Sequence, residues 1–374
     1  MISRLKLRRP SEAIVPLIAL GLSVGGLVMI LSASQFSAAQ NAGNPYYFFS
    51  RQLLFWLLGV GLYFYFLRVP LEKLYQYRWR FLLVTLGLLI LVLIPGVALD
   101  RANVNRWIGW GAISIQSAEV AKLFLIIFFA GFFAGRGMMM RSPVQTLIPF
   151  IFYLAAIVGL VILEPDMGTA IIIILIALAI WFVAGADLWH YGAVLIIGAA
   201  LMLILVYIAP YRLQRLTVFL NRNPSPAAIS REAYHSHQAL IAIGTGGWWG
   251  VGFGQGVSKY AFLPETHTDS IFAVLAEELG FARASLVLVA YLIIGFRGFQ
   301  IAARANSRFV RLIAVGVTVS LTGQALINIG GMLGVLPLTG VPLPFISYGG
   351  SSLLVSMASV GLLTNASRET VTKF

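Results

Sequence analysis

AIVPLIALGLSVGGLVMILSA, from Ala13 to Ala33, carries no charge, and its only hydroxyls are Ser23 and Ser32. One helix of roughly 20 such residues crosses the roughly 30 Å hydrocarbon core of a bilayer. Nine more apolar stretches follow: Phe48 to Leu67, Phe81 to Leu99, Val120 to Ala134, Ile148 to Leu163, Gly168 to Ala186, Leu188 to Ala209, Ile271 to Phe296, Leu312 to Val335 and Phe345 to Leu363. The fourth and fifth of the ten fall short of a full span and draw on flanking residues such as Gln116 to Glu119 and Gly135. A chain that is 59% hydrophobic and 10% charged does not form a soluble globule. The expected fold is an all-α integral membrane protein of about ten transmembrane helices, with residues 1–374 forming a single polytopic membrane domain.

Cations orient the helices. Arg4, Lys6, Arg8 and Arg9 precede the first; Arg68, Lys73, Arg78 and Arg80 lie between the second and third; Arg136 and Arg141 follow the fourth. Arg297, Arg304, Arg308 and Arg311 follow the eighth, and Arg368 and Lys373 come last. If ten helices alternate, these 16 of the 26 Lys and Arg share one side, which places both termini in the cytoplasm. A cleavable signal is the alternative at the N-terminus, but the first run exceeds an h-region of about 7 to 15 residues. The glycine-rich, cationic segment of about 210–269, between the seventh and eighth helices, then faces outward. The chain has no cysteine, so disulfides and thiolate metal sites are excluded. The net charge of +13 follows mostly from inward-facing anchors, which argues against a nucleic-acid partner. No internal repeat and no phosphate loop of the GxxxxGK[ST] kind is present.

Some cations break this pattern. Arg101 and Arg106 lie after the third helix, and Arg212, Arg215, Arg222, Arg231 and Lys259 lie in the large outward segment. They suit either an anionic ligand at the outer face or lipid phosphates. Glu119 and Lys122, three apart, share a helix face and can pair; they read as a pin between helices or as the polar floor of a cavity. Asp166, in the turn Glu164-Pro165-Asp166-Met167-Gly168, either caps the sixth helix or faces an outward cavity.

The densest constellation is Leu263-Pro264-Glu265-Thr266-His267-Thr268-Asp269-Ser270, running on to Glu277-Glu278-Leu279-Gly280. Thr268 or Asp269 is expected to cap the eighth helix, whose dipole would hold Asp269 ionised. Glu265, His267 and Asp269 alternate in a way that admits a divalent cation, Mg or Mn. Glu277 and Glu278 cannot share a face, so one of them is expected to meet Arg283, a cavity or another helix. The glycines from Gly244 to Gly256, and Ser347-Tyr348-Gly349-Gly350 at the start of the tenth helix, suit either close packing or a pyrophosphate.

These motifs together resemble the SEDS family of bacterial wall synthesis, which includes the RodA and FtsW proteins. The segments from Leu263 to Asp269 and from Gly340 to Ser351 carry the resemblance. Glu164 to Thr169, the Glu119 and Lys122 pair and the helix count extend it over nearly the whole chain. Tyr211-Arg212 with Arg215 and Phe219, and Ser258-Lys259-Tyr260, are closer to FtsW than to RodA. The chain departs from the family pattern at Gln116-Ser117-Ala118-Glu119, at Asn221-Arg222-Asn223-Pro224 and at Ser270, where a Phe is usual.

The resemblance implies a peptidoglycan glycosyltransferase that polymerises lipid II at the outer face of the bacterial cytoplasmic membrane, for septal synthesis in cell division. Asp269 is the implied catalytic base. A carboxylate can take the proton of an attacking sugar hydroxyl, and Arg212, Arg215 and Lys259 are the nearest cations for the undecaprenyl pyrophosphate leaving group. Glu265, His267, Ser347, Gly349 and Gly350 are further substrate-binding candidates; Asp166, Glu277 and Glu278 are cavity candidates. The implied partners are a class B penicillin-binding protein transpeptidase and the division machinery. The eighth and ninth helices and the outward segment are the surfaces open to the transpeptidase. A lipid II flippase and an elongation polymerase are the alternatives.

Overall fold

The computed structural model describes residues 12–101, 104–110, 113–208, 210–220, 231–260 and 262–369. Among these residues all ten apolar stretches form helices, and three shorter ones accompany them. The helices are α1 (Ile14–Ala42), α2 (Tyr47–Arg68), α3 (Leu71–Gln76), α4 (Arg78–Leu93), α5 (Ser117–Ala134), α6 (Ile148–Leu163) and α7 (Met167–Val183). They continue as α8 (Leu188–Ile208), α9 (Pro210–Leu220), α10 (Arg231–Gly246), α11 (Ile271–Arg304), α12 (Arg308–Met332) and α13 (Gly350–Ser367). Six of these spans are long and apolar enough to cross a bilayer unaided. As the sequence suggested, α5 begins upstream of its apolar run, at Ser117. The tenth helix starts later than expected, at Gly350, because residues 344–349 form a turn.

At the centre, α5 and α12 are buried round most of their circumference. They pack on each other and on α7, while α13 runs along α2 and α11 along α12. Lys122 Nζ donates to Glu119 Oε1 at 2.8 Å and to Gln324 Oε1, and Gln324 Nε2 donates to the Pro342 carbonyl at 2.8 Å. Both charges are buried, at 2% exposure. The pair therefore pins α5 to α12 and, through Gln324, to the chain at Pro342. Full pairing of this kind is what a charge in the bilayer interior requires.

Two segments depart from the expected loops. After α4 the chain forms an antiparallel sheet of β1 (Leu99–Arg101), β2 (Val104–Trp110) and β3 (Ile113–Gln116), in the order β1-β2-β3. Among its described residues the 210–269 segment contains two helices, α9 and α10, the second of which packs on α11, and from 247 onward it runs in turns.

Of the glycines of 244–256, Gly246, Gly250 and Gly256 serve close packing. A Cβ on Gly246 would lie 2.1 Å from the Ala276 carbonyl oxygen, and one on Gly250 2.2 Å from that of Glu278. Helix α11 is kinked at Gly280 (φ 80°, ψ 171°), a conformation open to glycine. The kink frees backbone groups that the neighbouring segment then takes up. Val251 N–H donates to the Glu277 carbonyl (3.0 Å) and Gly252 N–H to that of Glu278 (3.1 Å); in the other direction Phe281 N–H donates to Gly247 (2.8 Å) and Ala282 N–H to Trp248 (3.2 Å).

Candidate functional site

Asp269 stands, partly buried, where two cavities meet. The larger, of about 700 Å³, lies between α9, α10, the 264–269 turn and the 331–340 chain; Arg215, His235, Ser236 and Glu265 are on its walls. The smaller, of about 450 Å³, is walled by Arg106 from β2, Asp166 from the α6–α7 turn, Ile171 from α7, Val206 from α8 and Arg215 from α9. Asp269, Arg215 and Gly340 belong to both.

Local chemistry fixes these groups. Arg106 Nε donates to the Glu164 carbonyl at 2.7 Å, and Arg106 Nη2 donates to that of Pro165. It therefore meets backbone dipoles at these positions and keeps its charge for the cavity. Asp166 caps α7, accepting from Thr169 N–H at 3.1 Å and Thr169 Oγ1 at 2.9 Å, and it also accepts from Gln116 Nε2 at 2.7 Å. The capping carboxylate also lines the smaller cavity. Glu265 has φ +52°, a left-handed conformation that stores strain. Its carbonyl accepts from Thr268 N–H (3.2 Å) and Ser270 N–H (3.1 Å), which closes the turn. From α12, Asn328 Nδ2 donates to the Asp269 carbonyl at 2.9 Å and to the Val341 carbonyl at 2.7 Å. Gly340 (φ +74°) leaves room beside the carboxylate, where a Cβ would lie 3.3 Å from Asp269 Oδ2.

Asp269 is not the cap of α11. Ser270 holds that position, without a side-chain cap bond. Nor is Asp269 a persistent anion: its carboxyl is pushed up to about 7, chiefly by burial and then by the Glu265 and Asp166 carboxylates. Arg215 and Arg106 pull the other way. Desolvation outweighs the helix terminus here, and a carboxylate poised near neutrality is a better base than an ordinary one. In the α6–α7 turn, Glu164 is fully buried and accepts from Ser117 Oγ at 2.9 Å. Burial pushes this carboxyl up to about 8, so it stays protonated at neutral pH.

The other residues named from sequence lie elsewhere. Lys259, offered as a pyrophosphate cation, is buried against α11 and lines neither cavity. Its three ammonium protons go to Glu278 Oε1 (2.9 Å), Ser32 Oγ (3.1 Å) and the Gly254 carbonyl (2.7 Å). Glu277 and Glu278 are both buried, and both hold the 254–259 segment: Gly254 N–H donates to Glu278 Oε2 at 3.0 Å, Val257 N–H to Glu277 Oε1 at 2.9 Å, and Ser258 Oγ to Glu277 Oε2. Of the partners open to these carboxylates, Arg283, a cavity or another helix, the structure shows another helix: Ser32 Oγ of α1 donates to Glu278 Oε1 at 2.7 Å, while Arg283 donates to the Trp249 and Leu279 carbonyls.

His267 turns to α2, its ring 4.3 Å from that of Phe48 and 5.6 Å from that of Tyr348, and burial pushes its imidazole down. It lines neither cavity. No group of three His, Asp or Glu suited to a metal occurs among the described residues. Ser347, Gly349 and Gly350 dock on α2. Gln52 Nε2 donates to the Ser347 carbonyl at 3.3 Å, Gly349 N–H donates to Gln52 Oε1 at 3.2 Å, and a Cβ on Gly350 would strike the Phe55 ring at 2.6 Å. The side chains of Arg212 and Arg231, and the whole of Arg222, lie outside the described residues.

From the sequence, Arg106 was named only among the cations suited to an anionic ligand, and Glu164 and Gly340 only as members of motifs; His235 and Asn328 were missed, having no signal of their own.

A family model described as cell cycle protein, covering FtsW, RodA and SpoVE, matches residues 12–372. The chain is 40% identical over 347 residues, 92% of its own length and 87% of the relative's, to a probable peptidoglycan glycosyltransferase FtsW of Halorhodospira halophila. It is 36% identical over 362 residues, 96% and 97% of the two lengths, to stage V sporulation protein E of Bacillus subtilis. Among solved structures it is similar to a chain of a peptidoglycan synthase complex, described as coordinating polymerization and crosslinking. The TM-score there is 0.78 at 26% identity, over 96% of this chain and 98% of that one. The rod shape determining protein RodA of Thermus thermophilus gives 0.71 at 25% identity, over 97% and 98%.

Proposed function

This chain belongs to the FtsW, RodA and SpoVE family of cell cycle proteins, and on that premise we propose that Asp269 is the base of a lipid II polymerase serving septal wall synthesis. The chain is a peptidoglycan glycosyltransferase of the bacterial cytoplasmic membrane. The observation that carries the residue assignment is the position of Asp269, shared by two cavities with Arg215.

The smaller cavity suits the pyrophosphate end of the donor. It offers Arg106 and Arg215 to the two phosphates, and its walls include α7 and α8, apolar helices along which a polyprenyl chain can run. The larger cavity offers hydroxyl, imidazole and carboxylate groups to the acceptor sugar. The acceptor hydroxyl gives its proton to Asp269 as its oxygen attacks the anomeric carbon of the donor. The bond from that carbon to the pyrophosphate oxygen breaks, and the charge left on the pyrophosphate meets the two guanidinium groups. Direct displacement inverts the anomeric centre and needs one base and no covalent sugar intermediate.

A flippase needs a polar path through the membrane depth. The Glu119 and Lys122 pair that suggested one is closed by Gln324. The crosslinking partner in this reading is a class B penicillin-binding protein transpeptidase, as befits a structural likeness to a complex that couples polymerization to crosslinking.

The test is polymerisation of labelled lipid II by the purified protein with its transpeptidase, comparing the parent with Asp269→Asn at equal folded amounts. Glycan strands from the parent alone support the assignment; equal strands from both overturn it.

A further inference from the structure

Helix α10 reaches the turn that carries Asp269 through the side chain of His235. His235 Nε2 lies 2.6 Å from Ser270 Oγ, and Ser270 Oγ donates to the Pro264 carbonyl at 2.9 Å. A hydroxyl has a single proton. With that proton given to Pro264, the oxygen accepts from His235 Nε2–H, and the three groups form a directed chain from α10 to the start of the turn. Ser270 is fully buried and stands at the N-cap position of α11, where a serine hydroxyl ordinarily satisfies the helix's own N–H groups. Here it makes no such bond. Its capacity is turned toward α10.

Asp269 thus sits between two anchors on different helices. Asn328 of α12 holds its carbonyl, and His235 of α10 holds the residue that follows it. His235 also lines the larger cavity beside Asp269, so the wall of that cavity and the aim of the carboxylate are mechanically joined.

We propose that His235, acting through Ser270, is a positioning residue that holds the Asp269 turn in register with the cavity formed by α10. The proposal rests on the assignment of Asp269 as base. His235→Ala and Ser270→Ala remove the link. His235→Gln keeps an N–H donor of similar reach, and Ser270→Thr keeps the hydroxyl. A misplacement near 1 Å at a reacting group costs on the order of 100-fold in rate. Each alanine variant is therefore expected to lower kcat at least tenfold with little change in KM for lipid II, while the Gln and Thr variants stay within about threefold of the parent. The two alanines act on one link, so the double variant is expected to be no slower than the slower single one.

A second measurement reads the link without the reaction. Hydrogen exchange of a peptide spanning residues 263–270 in the full-length, detergent-purified protein is expected to quicken in both alanine variants and to stay at the parent rate in His235→Gln. Unchanged exchange in the alanine variants overturns the link whatever the enzyme's activity. Quickened exchange with kcat unchanged, in a preparation where the parent polymerises and Asp269→Asn does not, overturns the positioning role and leaves the function standing. Multiplicative losses in the double variant overturn it as well.

Discussion

The carboxyl of Asp269, pushed up to about 7 by burial and by Glu265 and Asp166, makes the rate of polymerisation a pH titration with a defined sign. A base works only when ionised. The ionised fraction is about one tenth at pH 6 and about nine tenths at pH 8, so kcat/KM, which reports the free enzyme, is expected to rise roughly ninefold across that range, with its midpoint near neutrality. Neighbouring charges then move the midpoint in opposite directions. Arg215→Ala removes a cation that favours the carboxylate and moves the limb up, and each pH unit of movement costs about tenfold in rate at pH 6. Glu265→Gln removes a repelling charge and moves it down. The plateau for Arg215→Ala falls too, since that guanidinium faces the pyrophosphate, but a midpoint does not depend on plateau height. The assay is the initial rate of fluorescent lipid II polymerisation from pH 5.5 to 8.5 with the transpeptidase present, beside a melting curve at each pH. A flat profile, a limb near pH 4, or two variants whose midpoints move together would refute the reasoning.

Glu164 affects stability with the opposite sense to an ordinary salt-bridged carboxylate. Its folded carboxyl titrates at about 8, above an unfolded value near 4.5, so between those limits the folded state holds a proton that the unfolded state lacks, and stability falls as pH rises. Glu164→Gln is expected to flatten the loss of melting temperature between pH 5 and 8, and an unchanged slope speaks against a protonated Glu164. Lys259→Met leaves Glu278 buried without its cation, which costs about 3–5 kcal/mol. The expected result is a large fall in melting temperature that Glu278→Gln in the same chain partly restores; a variant as stable as the parent removes the ion pair from the account. Gly340→Ala brings a Cβ to 3.3 Å from Asp269 Oδ2 at φ +74°, and is expected to lower kcat about tenfold by misplacing the base, with folded yield retained. A rate equal to the parent's would show that the carboxylate has room to spare.

The ten apolar helices were legible because length and apolarity suffice for a membrane span. Lys122 and Glu119 were legible as a pair because their spacing fixes a shared helix face. The sheet holding Arg106 was harder to see: Val104-Asn105-Arg106-Trp107-Ile108 has the β-branched and aromatic residues of a strand, but a loop between two spans hid the pattern. Lys259 shows where reading from composition fails. A lysine four residues before the Leu263-Pro264-Glu265 run looks like a phosphate ligand, yet only the fold shows Glu278 and Ser32 closing round it. The protonation of Asp269 was read with the wrong sign, because a helix terminus can be inferred from local sequence, whereas desolvation and the nearness of Asp166, about a hundred residues upstream, cannot. The segment from Gly340 to Ser351 divides: Gly340 lines both cavities beside Asp269, whereas Ser347, Gly349 and Gly350 hold a turn against α2 and line neither.

The bonds that close the outer face also set a timetable for its making. Ser32 on α1 meets Glu278 on α11 across 246 residues of chain, and Gln52 on α2 meets Ser347 across 295. As the polypeptide emerges from the ribosome, the first two helices enter the bilayer and remain there without their main neighbours until α11 and α13 arrive. They must therefore persist in lipid as independent spans, which their uncharged centres allow. The turn bearing Asp269 directly precedes α11, whereas the 331–340 chain that walls both cavities follows some sixty residues later, so a product truncated before that chain would lack part of both walls although every residue of the 263–270 turn had been made.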